Sequence, residues 1–184
     1  MNQQVDITFI TSHPMKADEL SWHLDRPVAH HKLDLPEIQS LDPHEVTSFK
    51  AREAYRQLNR PVIVEDFSMR FEAQGHLPGP LIKWFLQELK PQGLCKMLDG
   101  YESRVAYAQT CFAYCAGDEV RVFDGIMRGV ITSEPCGSHG YGIEAIFIPD
   151  GWQKTWGQMN KEEQVTSSVR RIGLKKLEAY LKSN

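Results

Sequence analysis

The sequence Pro-Val-Ile-Val-Glu-Asp at residues 61–66 predicts a short apolar β-strand with two acids at its carboxyl end. Because side chains alternate along a strand, Glu65 and Asp66 should point to opposite sides. We expect one acid to be structural and the other to face the crevice at the carboxyl end of the strand, where α/β sheets place ligands. The alternative is that both acids are solvated or cap a neighbouring element.

The residues before this strand predict a helix that runs from Asp42 to about Leu58. Asp42 suits the N-cap, Pro43 the first helical position and Glu45 the capping-box position. At about 100° per residue, Lys50 falls on the apolar face of this helix. Since an unpaired buried charge is very costly, this lysine must either extend its stem to solvent or meet a partner anion.

Helices and strands alternate near both ends of the chain, whereas strands follow one another in its middle. This pattern predicts an α/β fold with a mixed sheet, in one domain that spans residues 1–184. The other predicted strands are 7–11, 28–33, 103–116, 120–123, 126–131 and 143–148. The other predicted helices are 15–24, 81–89 (opened by the rigid turn 77–80 and closed by Pro91 and Gly93) and a C-terminal helix from about 167, with Val169, Ile172, Leu177, Tyr180 and Leu181 on one face.

The composition is that of an ordinary globular protein, with 41% apolar and 24% charged residues among 184. A formal net charge of −3 argues against a nucleic-acid coat, which would need a basic face, but it allows one anionic small molecule held by a few lysines. No uncharged run approaches the roughly 20 residues that a membrane span needs, and the first residues lack the basic region of a signal peptide. We therefore expect a cytoplasmic protein that binds neither nucleic acid nor membrane.

Residues 11–16 predict a strand end, a tight polar turn and the start of a helix. In this geometry the backbone N–H groups of a helix N-terminus meet an anion, and Lys16 would add a mobile positive charge. The glycines of a P-loop are absent, so the spacing alone favours a plain connection with a solvated lysine.

Glu37 follows the kinked Leu35-Pro36 pair and would supply a second carboxylate beside the acids of residues 65–66. Two carboxylates together with substrate phosphates are the usual way in which proteins hold Mg²⁺. The alternative, that these acids are solvated, is slightly favoured by the sequence alone.

The four cysteines are too few and too scattered for a disulfide scaffold. Cys111 and Cys115 share a face of the predicted strand, and Cys136 and His139 have a ligand-like spacing. A zinc site would need a tighter paired pattern, so we interpret the cysteines as small core residues.

Two motifs resemble those of a known family: Val-Glu-Asp at residues 64–66 and Leu-Pro-Gly-Pro-Leu-Ile-Lys-Trp-Phe-Leu at residues 77–86. The family is that of the inosine triphosphate pyrophosphatases, house-cleaning enzymes that hydrolyse noncanonical purine nucleoside triphosphates. Residues 34–37, 90–94 and 149–151 resemble its eukaryotic branch, and the similarity covers nearly the whole chain.

The resemblance implies an elongated mixed sheet with helices in two lobes, a central nucleotide cleft and a homodimer. It also implies an Mg²⁺-dependent attack of water on the α-phosphorus, which yields the monophosphate and pyrophosphate. By motif position Lys16 and Lys50 bind phosphate, Glu37 and Asp66 bind the metal, and Asp66 and Lys16 act in catalysis, Asp66 by activating water. The residues placed at the substrate are Thr11, Ser12, His13, Lys16, Lys50, Tyr141 (base stacking), Gly142, Ile143, Glu144, Ser168 and Arg170 (base recognition).

The chain departs from the family pattern mainly around the base. The family loop Thr-Gly-Asn-x-x-Lys is Thr-Ser-His-Pro-Met-Lys at residues 11–16, and Phe67 stands where a small hydroxyl residue is usual. The family sequence Phe-Gly-Trp-Asp-Pro is Tyr-Gly-Ile-Glu-Ala at residues 141–145, Ser-His-Arg is Ser-Val-Arg at 168–170, and a base-site lysine aligns with Gln164. The charged positions for metal and triphosphate are retained, whereas positions around the base differ. The resemblance therefore predicts the reaction more firmly than it predicts the base specificity.

Three functions therefore compete. The first is a pyrophosphohydrolase of noncanonical purine nucleotides (ITP, XTP or dITP), or of a different nucleotide if the base pocket has been rewritten. The second is a catalytically weak, regulatory nucleotide-binding module, which the substitutions in the phosphate loop and at Phe67 favour. The third is a scaffold whose dimer surface is the function.

Overall fold

The computed structural model describes residues 7–140 and 142–183. Within these ranges the strands are β1 (Thr8–Ile10), β2 (Ala29–His31), β3 (Val62–Phe71), β4 (Pro78–Gly79), β5 (Val105–Ala116), β6 (Glu119–Ile131) and β7 (Phe147–Pro149). The helices are α1 (Pro14–Leu24), α2 (Pro43–Leu58), α3 (Ile82–Lys96), α4 (Lys161–Thr166) and α5 (Val169–Ser183). None of the helices in the described part of the chain is long and apolar enough to cross a membrane.

The seven strands form one mixed sheet in the order β2-β1-β3-β5-β6-β7, with β4 paired to β3 outside this path. β1 is parallel to β2 and to β3, whereas β4 and β7 are antiparallel to their partners. The neighbours β5 and β6 are joined by only two residues, a connection that antiparallel strands alone allow. The prediction of a mixed α/β sheet is confirmed.

By its internal packing the chain divides into two compact units. The first unit comprises residues up to 66 together with 110–125 and the end of the chain from 172; the second comprises 67–109 and 126–171. The boundaries fall inside β3, β5 and β6 and in the first turn of α5 rather than in linkers. A single domain over residues 1–184 therefore stays our proposal.

Alternate residues of β3 face different helices of the first unit. Ile63 belongs to an apolar cluster with Leu20 of α1 and Leu174 of α5, whereas Val62 and Val64 belong to another cluster with α2 residues such as Ala54. This alternation determines which helix each acid of β3 can reach.

The start of α2 confirms one part of the predicted cap and corrects another. The Asp42 carboxylate accepts a hydrogen bond from the backbone N–H of His44 at 2.8 Å, and Pro43 is the first helical residue. The predicted reciprocal bond from Glu45 is wrong, because the backbone N–H of Asp42 donates to the Ser40 hydroxyl at 3.0 Å. That hydroxyl in turn donates to Glu45 at 2.5 Å, so Ser40 stands between the two groups.

The strand that carries the acids is longer than predicted. Glu65 and Asp66 lie in the middle of β3, not at its end, because β3 continues to Phe71 and pairs there with β4. What ends near Val64 is the parallel pairing with β1, whose last residue, Ile10, lies opposite Val64.

Helix α3 also extends past its predicted end. The helix was predicted to end before Pro91, but it is only interrupted there, because Lys90 has the non-helical angles φ 58° and ψ 173°. Proline disfavours the helical conformation in the residue before it but is tolerated in the first turn of a helix, so helical structure resumes at Pro91 and continues to Lys96.

Four other elements differ from the prediction. The predicted strands 120–123 and 126–131 form one strand, β6, and residues 143–145 form a 3₁₀ turn before β7. Helix α4 was not predicted; its signal is the capping box of Asn160 and Glu163. The predicted apolar face of α5 is partly wrong. Ile172, which was predicted on this face, is 36% exposed, whereas Leu174, which was not, is buried.

The four cysteines are free thiols. Cys95, Cys111 and Cys115 are fully buried, which confirms their interpretation as core residues, and Cys136 is half-buried. Burial raises the pKa of Cys111 to about 12, so this thiol is inert at neutral pH.

Gly129 permits the close pairing of β6 with β7 in the second unit. A Cβ at this position would lie 2.3 Å from the carbonyl oxygen of Ile148 and 2.6 Å from the ring of Phe147. Gly129→Ala should therefore lower the free energy of unfolding by about 1–3 kcal/mol, as overpacking does. Urea unfolding measures this change; the neighbouring Val130→Ala, at an exposed position, is the control, and equal stability of both variants would contradict the prediction.

Candidate active site

The loop after β1 is closed by its own hydrogen bonds. The backbone N–H of Thr11 donates to His31 O at 3.0 Å, and the Thr11 hydroxyl accepts a bond from the backbone N–H of His13 at 3.1 Å. The carbonyl of His13 accepts from the backbone N–H of Lys16 at 3.1 Å, and Pro14 occupies the first helical position, where its missing N–H costs nothing. Ser12 and His13 are exposed, and Thr11 is half-buried.

Lys16, in the first turn of α1, forms an ion pair with Glu65. The ammonium nitrogen lies 3.3 Å from Oε1 of Glu65. The carboxylate side chain is 8% exposed and the lysine side chain 44%, so the anion is enclosed by protein while the cation still reaches solvent. Lys16 is thus more than a solvated residue at a strand-to-helix connection.

Lys50 of α2 lies between two carboxylates. Its ammonium nitrogen is 3.2 Å from Oδ1 of Asp66 and 3.3 Å from Oε1 of Glu37, and its side chain is 14% exposed. Burial disfavours the charged form, but the carboxylates of Asp66 and Glu37 outweigh this effect and raise the pKa of Lys50 above its ordinary value. Lys50 therefore meets partner anions and does not extend its stem to solvent, which decides between the two alternatives for a lysine on an apolar face.

The alternation of β3 places its two acids as predicted. Glu65 shares the side of Ile63 and pairs with a lysine of α1, whereas Asp66 shares the side of Val62 and Val64 and pairs with a lysine of α2. The sequence assigned no partner to Glu65: alternation determines its side of β3, but only the folded chain determines which helix covers that side.

The first unit therefore holds two charged clusters on adjacent residues of β3: the Lys16–Glu65 pair, and Lys50 with Glu37 and Asp66. Lys16, a cation near a loop at a helix start, suits a phosphate group. Among the residues that the structure describes, no three His, Cys, Asp or Glu side chains form a metal site by themselves. Glu37 and Asp66 are the carboxylates that converge on one cation.

The residues predicted to contact a base lie in the second unit. Gly142 has φ 145°, and a Cβ there would lie 2.7 Å from the side chain of Leu86, so only glycine fits. Its backbone N–H donates to the Glu144 carboxylate at 3.0 Å, and Ile143 begins the 3₁₀ turn. Tyr141, the predicted stacking residue, lies outside the described residues.

The remaining residues predicted to contact the base lie in α4 and around the start of α5. The Ser168 hydroxyl accepts a bond from the backbone N–H of Arg171 at 3.4 Å, and Arg170 is half-buried in the first turn of α5. Gln164, at the position of the family's base-site lysine, donates from its side-chain amide to Trp156 O at 2.9 Å. This set and the charged set belong to different units.

Comparison with known proteins finds a matching family model and a similar named protein. The model of the Ham1 family matches residues 7–180. A Trypanosoma cruzi (strain CL Brener) protein named inosine triphosphate pyrophosphatase 2 is 40% identical over 178 residues, which are 95% of this chain and 91% of that protein.

Solved structures share the fold. A HAM1 protein from Coxiella burnetii has a TM-score of 0.86 at 21% identity, with 98% of this chain and 100% of that chain covered. A Mycobacterium abscessus protein, described as a nucleoside-triphosphatase or dITP/XTP pyrophosphatase, has a TM-score of 0.73 at 26% identity, with 95% and 98% covered. The resemblance found in the motifs is confirmed, and because the family model spans nearly the whole chain, this chain belongs to the Ham1 family.

Proposed function

We propose that this chain hydrolyses a nucleoside triphosphate to the monophosphate and pyrophosphate, and that its substrate is a noncanonical purine nucleotide such as ITP, XTP or dITP. The observation that carries the proposal is the buried Lys50 with Asp66 and Glu37, in the same unit as Lys16, which pairs with the adjacent β3 residue Glu65. The Trypanosoma cruzi relative, named inosine triphosphate pyrophosphatase 2, and the Mycobacterium abscessus relative, described as a nucleoside-triphosphatase or dITP/XTP pyrophosphatase, support the proposal.

The two lysines would bind the triphosphate. Lys16 is 44% exposed and stands in the first turn of α1, where helix N–H groups also favour an anion. Lys50 is already charged through its carboxylate partners, so it would need no proton from solvent to meet a phosphate. Preorganised cations of this kind stabilise the charge that develops on phosphoryl oxygens during reaction.

The donor set of Glu37 and Asp66 fits a divalent cation, and we propose Mg²⁺. Both are oxygen ligands, which a hard cation prefers, and both already converge on one positive charge, the Lys50 ammonium. Two protein carboxylates suffice where substrate phosphates complete the coordination. When bound, the cation would neutralise phosphate charge and polarise the phosphoryl oxygens.

We assign the general base to Asp66. A bond would form between a water oxygen and the α-phosphorus, while the bond from the α-phosphorus to the α,β-bridging oxygen breaks and that oxygen leaves with pyrophosphate. The proton of the attacking water would pass to the Asp66 carboxylate. Lys50, 3.2 Å from Oδ1 of Asp66, would hold this carboxylate in place before the transfer.

Base selection would come from the second unit. The backbone N–H of Gly142 is engaged by Glu144, and one of the two N–H groups of the Gln164 amide by Trp156 O, so these donors are partly committed within the chain. A pocket with fewer donors available to a purine 6-keto group discriminates less for it. We therefore propose a broader or shifted base preference than the family names imply.

A substrate panel tests the proposed function. Purified protein with Mg²⁺ should release pyrophosphate from at least one triphosphate in a set of ATP, GTP, CTP, UTP, ITP, XTP and their deoxy forms, and excess chelator should abolish the release. Folded protein that binds a triphosphate by calorimetry without turnover would contradict the enzyme and favour the regulatory module. Failure to bind any nucleotide would favour the scaffold.

Asp66→Asn should lower turnover by at least about 10²-fold if this carboxylate takes the proton. The substitution keeps the shape of the side chain, and Lys50 keeps Glu37 as a partner, so the fold should persist. Asp118→Asn in the exposed turn between β5 and β6 makes the same chemical change away from the site and should leave turnover unaltered. Equal turnover of wild type and Asp66→Asn would remove the base role from Asp66.

We also propose, from the family resemblance, that two copies of the chain associate. Light scattering on the purified protein should give twice the 21.1 kDa mass of the chain. A particle of 21.1 kDa at micromolar concentration would contradict this proposal.

A further inference from the structure

Glu65 has no role in the mechanism above, although it is the least exposed acid of the charged set. Its side chain is 8% exposed, against 20% for Asp66 and 41% for Glu37. A carboxylate taken out of water is costly unless a cation compensates it, and Glu65 pairs with the ammonium of Lys16 at 3.3 Å.

The sheet register explains why these two side chains meet. Ile10, the last residue of β1, lies opposite Val64, so Glu65 is the first β3 residue beyond the parallel pairing. The chain of β1 turns at this point into the loop that begins with Thr11 and leads to Lys16. On the α1 side of β3, the Glu65 carboxylate is therefore next to the loop.

Lys16 is consequently held at both ends. Its backbone N–H donates to His13 O at 3.1 Å, and its ammonium group pairs with Glu65. A lysine stem has four carbons and much rotamer freedom, so without a partner the ammonium would sample many positions. An ammonium has three donors, so contact with Glu65 and contact with a phosphate oxygen are compatible.

We propose that Glu65 is a positioning residue, whose carboxylate holds the Lys16 ammonium where a phosphate oxygen of the nucleotide reaches it during reaction. This inference rests on the proposed function. Glu65 touches no reacting atom and acts through Lys16. It also has an electrostatic cost, because a negative charge near the triphosphate weakens binding of the ground state.

This double effect predicts a distinct kinetic pattern for Glu65→Gln. Loss of the restraint on Lys16 should lower kcat about 10-fold, since small misplacements of a charged group are costly, while loss of the negative charge should leave KM equal or lower. Lys16→Gln removes the ammonium itself, so it should lower kcat at least as far and also raise KM. If Glu65 had only a structural role, Glu65→Gln would lower the stability of the protein without changing kcat and KM in different directions.

A double-variant cycle tests that Glu65 acts through Lys16. Glu65→Gln should change kcat in the wild type but add nothing in the Lys16→Gln background. Glu65→Asp keeps the charge and should restore part of kcat. Glu119→Gln, which breaks the exposed 2.6 Å pair with Arg121, is the matched control and should leave kcat and KM unchanged. Equal kcat in Glu65→Gln and wild type, or independent effects of the two substitutions, would overturn the proposal.

A spectroscopic measurement tests the pairing of Lys16 with Glu65 independently of turnover. In ¹⁵N spectra of the side-chain ammonium groups, the restrained Lys16 should give a signal that Lys16→Gln identifies by its loss and that Glu65→Gln also removes. Survival of this signal in Glu65→Gln would overturn the positioning role even in an active enzyme. A wild type without turnover but with this Glu65-dependent signal would overturn the proposed function and support the restraint of Lys16.

Discussion

The charged site depends on the buried ammonium of Lys50. It lies within 3.3 Å of the carboxylates of both Glu37 and Asp66, and its side chain is only 14% exposed. Removing one cation from water is unfavourable by itself, and bringing two anions together is unfavourable by itself. Combined, the three groups compensate each other, and α2, β3 and the loop of residue 37 are tied at one point. The raised pKa of Lys50 is the expression of this compensation.

The alternation of one strand distributes the remaining charges. Successive residues of β3 face α1 and α2 in turn, so two adjacent acids serve two lysines that lie on different helices. The parallel pairing with β1 stops at Val64, one residue before the acids. The backbone of β1 is thereby free to form the loop of residues 11–16 beside them. Two charged clusters, one on each side of β3, therefore lie just beyond the end of one strand pair.

The residues proposed to contact the base lie in the second unit, and different constraints act on them than on the charged set. Gly142 is required by its φ of 145° and by the closeness of Leu86, which explains why the glycine persists although its neighbours differ from the family pattern. The amide of Gln164 and the N–H of Gly142 bond within the chain. Phosphate chemistry tolerates little change in charge, whereas recognition of a base can be altered one hydrogen bond at a time.

Residue types and their spacing were sufficient for the α/β class, the α2 cap at Asp42 and the opposite orientation of Glu65 and Asp66, because capping and strand alternation are local properties. The family followed from two motifs. The partners of Lys16 and Lys50, the extension of β3 and the interruption of α3 required the folded chain. Ion pairs between residues 16 or 49 positions apart depend on register and on which helix covers which side, and strand length depends on pairing with distant segments. Such long-range constraints have no signature in a local pattern.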